Sequence, residues 1–274
     1  MAWVRFRKNV LPKEWLEMIA SMFVLTIIPI FSIFELFVIF PYFYEPGSLW
    51  FMVHLLWGIF LVHNIAGNYA FVLCTDTSTK DIILCSRNNH HYCQRCNSYA
   101  PPRAWHCQVC NFCILRRDHH CLFTGCCIGY FNYRYFVMCV FYVVVGALYA
   151  SYLNFFYLRD QLTDFSLLSI IQTSFPIAIL YFGEGKLGVM VCMVLFWILM
   201  AVIVFMVVLT AIHISLIRRG TTQYEFNNEM YDYDLGWKQN FIHVLGKKWM
   251  WSLISPFAHS ELPGNGIDWH TKEV

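Results

Sequence analysis

Hydrophobic and polar positions fall into long blocks rather than a short-period alternation. Apolar runs extend from about Met18 to Tyr44, Leu49 to Leu73, Tyr133 to Tyr157 and Leu187 to Ile217. Each meets the roughly 20 residues that a helix needs to cross a hydrocarbon layer about 30 Å thick. The pattern predicts four transmembrane helices. Pro29 lies inside the first and predicts a kink there. The fourth run exceeds the layer and is expected to tilt or project. A further apolar piece, Phe165 to Tyr181 with Pro176 inside, is at the short limit.

Polar residues interrupt these runs sparingly. Glu35, His54, His63, Asn64 and Asn68 are expected to face neighbouring helices and hydrogen-bond across a bundle. The small residues Gly146, Ala147, Ala150 and Ser151 predict close helix packing. Hydropathy collapses from Cys74 to Asn132. The tail after Ile217 is polar yet aromatic. It predicts an amphipathic helix around Asn240, closed by Gly246, with Trp249, Trp251 and Phe257 suited to a membrane interface. No internal repeat stands out.

Basic residues set the orientation. Arg5, Arg7, Lys8 and Lys13 precede the first run, Lys80, Arg87, Arg95, Arg103, Arg116 and Arg117 lie in the polar segment, and Arg218, Arg219, Lys238, Lys247 and Lys248 follow the last run. Four spans put all three groups on the cytosolic side. Counting Phe165–Tyr181 as a fifth span would send the basic tail across, so that piece reads as re-entrant or surface-lying on the lumenal side. The chain then divides into residues 1–75 (N-terminus and helices 1 and 2), 76–132 (a cytosolic cysteine-rich domain), 133–217 (helices 3 and 4 with a lumenal loop) and 218–274 (a cytosolic tail). Composition agrees. The chain is 58% hydrophobic and 13% charged, against roughly 25% charge in an average soluble domain. A net charge of +2 gives no footprint for a nucleic acid. The fold class is an all-α polytopic membrane protein with a small metal-stabilised domain between helices 2 and 3.

The chemistry concentrates between Cys93 and Cys127, which holds eight cysteines and three histidines. Three Cys-x2-Cys steps with histidines beside them, in a segment too poor in apolar residues to fold alone, predict zinc and a reducing compartment. Two Cys3His sites would use six cysteines and two histidines, so some thiols are spare. A spare thiol beside an imidazole and a carboxylate is a candidate nucleophile, and Asp118-His119-His120-Cys121 has that composition. His119 could act as the base, with Asp118 orienting its ring. Arg116, Arg117 and Arg134 are candidates for phosphate contacts.

The whole pattern, Cys-x2-Cys-x9-His-Cys-x2-Cys-x2-Cys-x4-Asp-His-His-Cys-x5-Cys, resembles the cysteine-rich domain of the DHHC protein S-acyltransferases from Cys93 to Asn132. That resemblance implies that Cys121 carries the acyl group and that Asp118 and His119 complete a triad. It implies one zinc on Cys93, Cys96, His106 and Cys113, and another on Cys107, Cys110, His120 and Cys127. Cys126 has no role in the family. Pro101 and Arg103 match its Pro-x-Arg, Asn132 its following Asn, and Asn240 the Asn of its C-terminal motif. Leu122-Phe123 stands where Pro-Trp is usual, Ala100 where a basic residue is usual. Thr221-Thr222-Gln223-Tyr224-Glu225 is one residue longer than the family's Thr-Thr-x-Glu. The implied activity moves a long-chain acyl group, such as palmitoyl, from acyl-CoA to cysteines of membrane or membrane-proximal proteins at the endoplasmic reticulum or Golgi. Two other readings of the residues exist. One is a catalytically weak member acting as a zinc-domain scaffold or adaptor. The other is a transporter using His63 and Glu35, whose polar residues are too scattered.

Overall fold

The computed structural model of the chain describes residues 5–82, 89–161, 187–269 and 271. The apolar piece Phe165–Tyr181 lies outside them. Among the described residues, four helical stretches are long and apolar enough to cross a membrane: Trp15–Phe43, Leu49–Cys74, Tyr133–Gln161 and Leu187–Arg218. They make this a multi-pass membrane protein. The first stretch is composite. α1 (Trp15–Phe34) includes Pro29, and an irregular turn at Glu35–Ile39 follows it, before α2 (Phe40–Phe43). There the Phe40 N–H reaches back to the Glu35 carbonyl in a wide π turn. Pro41, which has no N–H to donate, follows immediately. The other spans are α3 (Leu49–Cys74), α4 (Tyr133–Gln161) and α5 (Leu187–Arg218).

The chain forms two compact units, and each long helix contributes residues to both. One comprises residues 26–63 and 140–209. Phe34, Ile39 and Phe40 pack there with Leu153, Tyr157, Val189 and Met193. Ala147 and Ala150 pack with Leu199, as the small-residue stripe predicts. Glu35, buried in this unit, accepts from Asn154 Nδ2, and Asn154 Oδ1 accepts from the Cys192 thiol at 2.9 Å.

The other unit comprises residues 1–25, 64–139 and 210–274. β1 (Arg5–Phe6) pairs antiparallel with β2 (Thr75–Asp76). Three hairpins follow: β3 (His91–Cys93) with β4 (Ser98–Ala100), β5 (Trp105–Cys107) with β6 (Phe112–Ile114), and β7 (His119–Cys121) with β8 (Cys126–Ile128). Their registers superpose at a spacing of fourteen residues. Cys93, Cys107 and Cys121 end the first strands, and Asn97, Asn111 and Gly125, all at positive φ, turn into the second. This is an internal repeat, contrary to the expectation from sequence. It is hidden because Thr124 stands where Cys96 and Cys110 stand in the other two hairpins, and because three-residue strands are too short to display alternation. Asparagine and glycine suit the turn because both tolerate the left-handed region.

The tail folds onto this unit through α6 (Gln223–Asn227), α7 (Trp237–Leu245) and α8 (Trp249–Ser252). Gly246 closes α7 at φ +88°, where the sequence expects the helix to stop. Leu262, Ile267 and Trp269 pack against Ala100, Leu115, Tyr130 and Phe131. A chain segment too poor in apolar residues for its own core thus borrows one from the tail. Asn240 donates to the Arg218 carbonyl at 3.0 Å and to Asp234 at 2.7 Å, and accepts from the Leu235 N–H.

Candidate active site and metal clusters

Side chains alternate across a strand. On β7 and β8, His120 and Cys127 therefore share one face while His119, Cys121 and Cys126 share the other. The same alternation sorts the ligands of the other hairpins into two clusters. Cys93, Cys96, His106 and Cys113 bring their ligand atoms within 4.8 Å of one another, and so do Cys107, Cys110, His120 and Cys127. These are the two implied sets. In the first, the Cys96 and Cys113 sulfurs are 3.7 Å apart and His106 Nδ1 is 3.2 Å from Cys96 Sγ. In the second, Cys110 and Cys127 are 3.6 Å apart, and His120 Nδ1 is 3.4–3.6 Å from three sulfurs. A tetrahedron with arms of about 2.3 Å has edges of about 3.8 Å, so the donor sets fit zinc in size as well as in chemistry. Glu17 of α1 accepts from His120 Nε2 at 2.6 Å, the carboxylate support that orients a ligating imidazole. Hydrogen bonds from Cys110 and Cys127 pull the Cys107 thiol down, while those with Cys107 and Cys110 push Cys127 up. A metal bound here would displace the thiol protons, because the ligating form of cysteine is the thiolate.

The opposite face of β7 holds the reactive set. Asp118 is buried, and its Oδ2 lies 2.8 Å from His119 Nδ1. The His119 ring is also hydrogen-bonded to the Cys121 side chain. Burial opposes charge on all three groups, and their mutual contacts win. Burial alone would raise Asp118 and lower His119. Their hydrogen bond reverses both, holding the carboxyl below its usual range and the imidazole up at about 9. Burial likewise raises the Cys121 thiol, and bonds from His119 and then Thr124 bring it below its usual value. The arrangement favours a thiolate–imidazolium pair, the nucleophilic form of cysteine.

The helix after the last span completes the site. Thr222 caps α6, accepting from the Glu225 N–H, while Glu225 accepts from the Thr222 N–H in a reciprocal capping box. That turn aims the Gln223 N–H at Asp118 Oδ1, 3.2 Å away. Glu225 also takes a bidentate bond from Arg103, at 2.6 Å on both oxygens, with both side chains almost wholly buried. The extra residue in the threonine motif therefore costs neither contact. Thr222 and Glu225 act together, and Thr221 is buried beside them, its hydroxyl 3.5 Å from the Leu216 carbonyl. Ser21 and Tyr69 both donate to the Phe123 carbonyl, at 2.9 and 2.8 Å. The chain after Cys121 is thus pinned by its backbone, where the family uses Pro-Trp. Asn132, fully buried, accepts from the Gly129 N–H and donates to the Cys127 carbonyl.

Of the three candidate phosphate contacts, Arg134 is committed to the Ser260 carbonyl at 2.6 Å and to Tyr135. Arg117 donates its backbone N–H to the Arg103 carbonyl. Arg116 lies over the Tyr133 ring and lines a cavity of about 220 Å³ with Arg103, Tyr130, Tyr233, Asn240 and Trp269. Sequence reasoning missed His213 of α5. It lies within 4.8 Å of the Asp118 and His119 ligand atoms and is 2.9 Å from the Tyr133 hydroxyl. It also missed Glu17, Ser21 and Gln223. None carries a motif, and each acts through a contact formed only on folding.

The family model for the DHHC palmitoyltransferase domain matches residues 86–230. A Danio rerio protein named probable palmitoyltransferase ZDHHC24 is 34% identical over 81% of this chain and 77% of its own length. The Homo sapiens protein of that name is 31% identical over 82% and 81%. An Arabidopsis thaliana protein named probable protein S-acyltransferase 12 is 34% identical over 62% and 55%.

Proposed function

The chain belongs to the DHHC palmitoyltransferase family, and on that premise we propose that it transfers a long-chain acyl group from acyl-CoA to cysteine thiols of membrane-proximal proteins through an acyl-Cys121 intermediate. The observation that carries this is the continuous Asp118–His119–Cys121 chain on a hairpin whose other face is built for metal. In the first step the Cys121 sulfur attacks the thioester carbonyl carbon. The bond to the CoA sulfur breaks, and CoA leaves with a proton from His119. In the second step His119 takes the proton of a substrate thiol as that sulfur attacks acyl-Cys121, and Cys121 departs as thiolate. Asp118 holds the His119 ring in the tautomer this needs and stabilises its charged form. Thioester exchange is close to energy-neutral, so positioning does most of the work.

Zinc on Cys93, Cys96, His106 and Cys113, and on Cys107, Cys110, His120 and Cys127, would supply structural cross-links to the hairpins and no bond-making. Arg116 is the arginine whose position suits a CoA phosphate, given its place in the cavity wall. The cysteine-rich domain, residues 76–132, is cytosolic with both termini, in an endoplasmic reticulum or Golgi membrane.

The test uses purified wild type and Cys121→Ser in detergent with palmitoyl-CoA. A hydroxylamine-labile acyl adduct in the intact mass of the wild type alone is the expected result. Absence of any adduct on a wild type that still holds its metal would overturn the proposal.

A further inference from the structure

Cys126 has no part in either metal cluster or in the reactive set, and its position is unusual. It is directly opposite Cys121 in the β7–β8 register. Directly opposed residues of an antiparallel pair point to the same face, with Cβ atoms about 4.5–5.5 Å apart. The Cα separation of such a pair, about 4.5–5.5 Å, falls within the range that a disulfide spans, and closing the bond draws the Cβ atoms in to about 3.8 Å. A second observation ties both residues to one neighbour. Cys126 Sγ lies 3.4 Å from Thr124 Oγ1, and the same hydroxyl lies 3.5 Å from the Cys121 carbonyl, with Thr124 also among the groups that hydrogen-bond the Cys121 side chain. In the other two hairpins the residue opposite the equivalent cysteine is Ser98 or Phe112, so the third alone carries a cross-strand pair. Both cysteines are free thiols.

We propose that Cys121 and Cys126 form a reversible disulfide when the protein meets a peroxide, and that this bond closes the acyl-accepting sulfur until a thiol reductant reopens it. The Cys121 sulfur attacks one peroxide oxygen. The O–O bond breaks, one water leaves, and Cys121 becomes a sulfenic acid. The Cys126 sulfur then attacks the Cys121 sulfur. The S–S bond forms, the S–O bond breaks, and a second water leaves carrying the Cys126 proton. Two thiols lose two electrons in total, and one hydrogen peroxide becomes two waters. Because the neighbouring thiol lies directly across the hairpin, the sulfenic acid is captured before a second peroxide can convert it to the irreversible sulfinic acid. The metal ligands are spared because His120 and Cys127 occupy the opposite face of the same strands. The closure of activity rests on Cys121 being the acyl acceptor; the disulfide itself does not.

The experiment treats the metal-loaded full chain in detergent with limiting hydrogen peroxide and blocks remaining thiols with N-ethylmaleimide. Chymotrypsin, which cuts after Phe123, then puts the two cysteines on separate peptides. The expected result is one linked pair, Cys121 with Cys126, lighter by two hydrogens and separated by dithiothreitol, with metal content unchanged. Cys126→Ser, which leaves the reactive set intact, should instead accumulate a Cys121 peptide heavier by two oxygens, and dithiothreitol should not restore its acylation. Wild-type acylation should return under dithiothreitol. Crosslinks to Cys107, Cys110 or Cys127 with loss of metal, or equal sulfinic acid in wild type and variant, would overturn the proposal. A mapped disulfide in a protein that takes up no acyl group before oxidation would refute Cys121 as the nucleophile while leaving the switch chemistry standing.

Discussion

Asp118 illustrates how a single side chain is used to capacity. One oxygen orients His119 and the other receives the Gln223 N–H, so the carboxylate is satisfied although buried. Asp118→Asn keeps the shape and removes the charge. It is expected to slow acylation of Cys121 by about 10²–10⁴-fold, because the tautomer and the charged imidazole lose their support. A single-turnover time course with palmitoyl-CoA, with metal content as the fold control, checks it. Arg103 and Glu225 are a different case. Their ion pair is desolvated, with Arg103 stacked against Tyr233 and Trp269 at 4.4 Å. Glu225→Ala leaves a buried guanidinium unpaired. The expected loss is about 3–5 kcal/mol, seen as a lower midpoint of thermal unfolding in detergent. Asp118, His119 and Cys121 were legible because they sit in a fixed local spacing. Gln223 was not, because it meets Asp118 across 105 residues through a main-chain N–H that any side chain could accompany.

The hairpins share one design, and two clusters of metal-ligating side chains join such short strands. Three residue pairs per hairpin are far from self-sufficient. Each cluster instead ties two successive hairpins together, His106 and Cys113 of the second joining Cys93 and Cys96, and His120 and Cys127 of the third joining Cys107 and Cys110. Stripping metal with a strong chelator should therefore expose the segment around residues 91–128 to protease before the spans are attacked, and acylation should fall with metal content. Two metal ions per chain are expected by native mass spectrometry. Gly129, at the end of β8, has no room for a side chain. An added Cβ would lie 2.6 Å from the Leu115 carbonyl and 2.9 Å from Thr77 Oγ1. Gly129→Ala should lower the unfolding midpoint and weaken metal retention. Thr222→Ala removes the cap of α6, a loss of about 1 kcal/mol. It should also loosen the Gln223 contact, so acylation should fall more than stability does. The capping box was readable as Thr-x-x-Glu. The misfit with the family's spacing concealed it, and the turn geometry shows that the box uses the second threonine.

For the whole molecule, the three basic groups predict the orientation. Protease protection in sealed microsomes should leave tags at both termini exposed and protect one inserted between residues 165 and 181. Exposure of that insertion together with a protected C-terminus would instead fit five spans. The four helices and their limits were decided by composition over windows of about 20 residues, a signal that needs no knowledge of neighbours, because the bilayer itself is the solvent. The metal ligands were decided by local spacing, because a tetrahedral ion accepts few arrangements of thiolate and imidazole. Folding decided the rest. It brought His213, Glu17 and the α6 turn to the reactive strand. It assigned Arg134 to the tail, supplied the cysteine-rich segment with apolar partners from Leu262, Ile267 and Trp269, and set Cys126 across from Cys121. Each of these is a contact between residues far apart or in register across a turn. Its energy belongs to a pair, and neither member carries a mark of it alone.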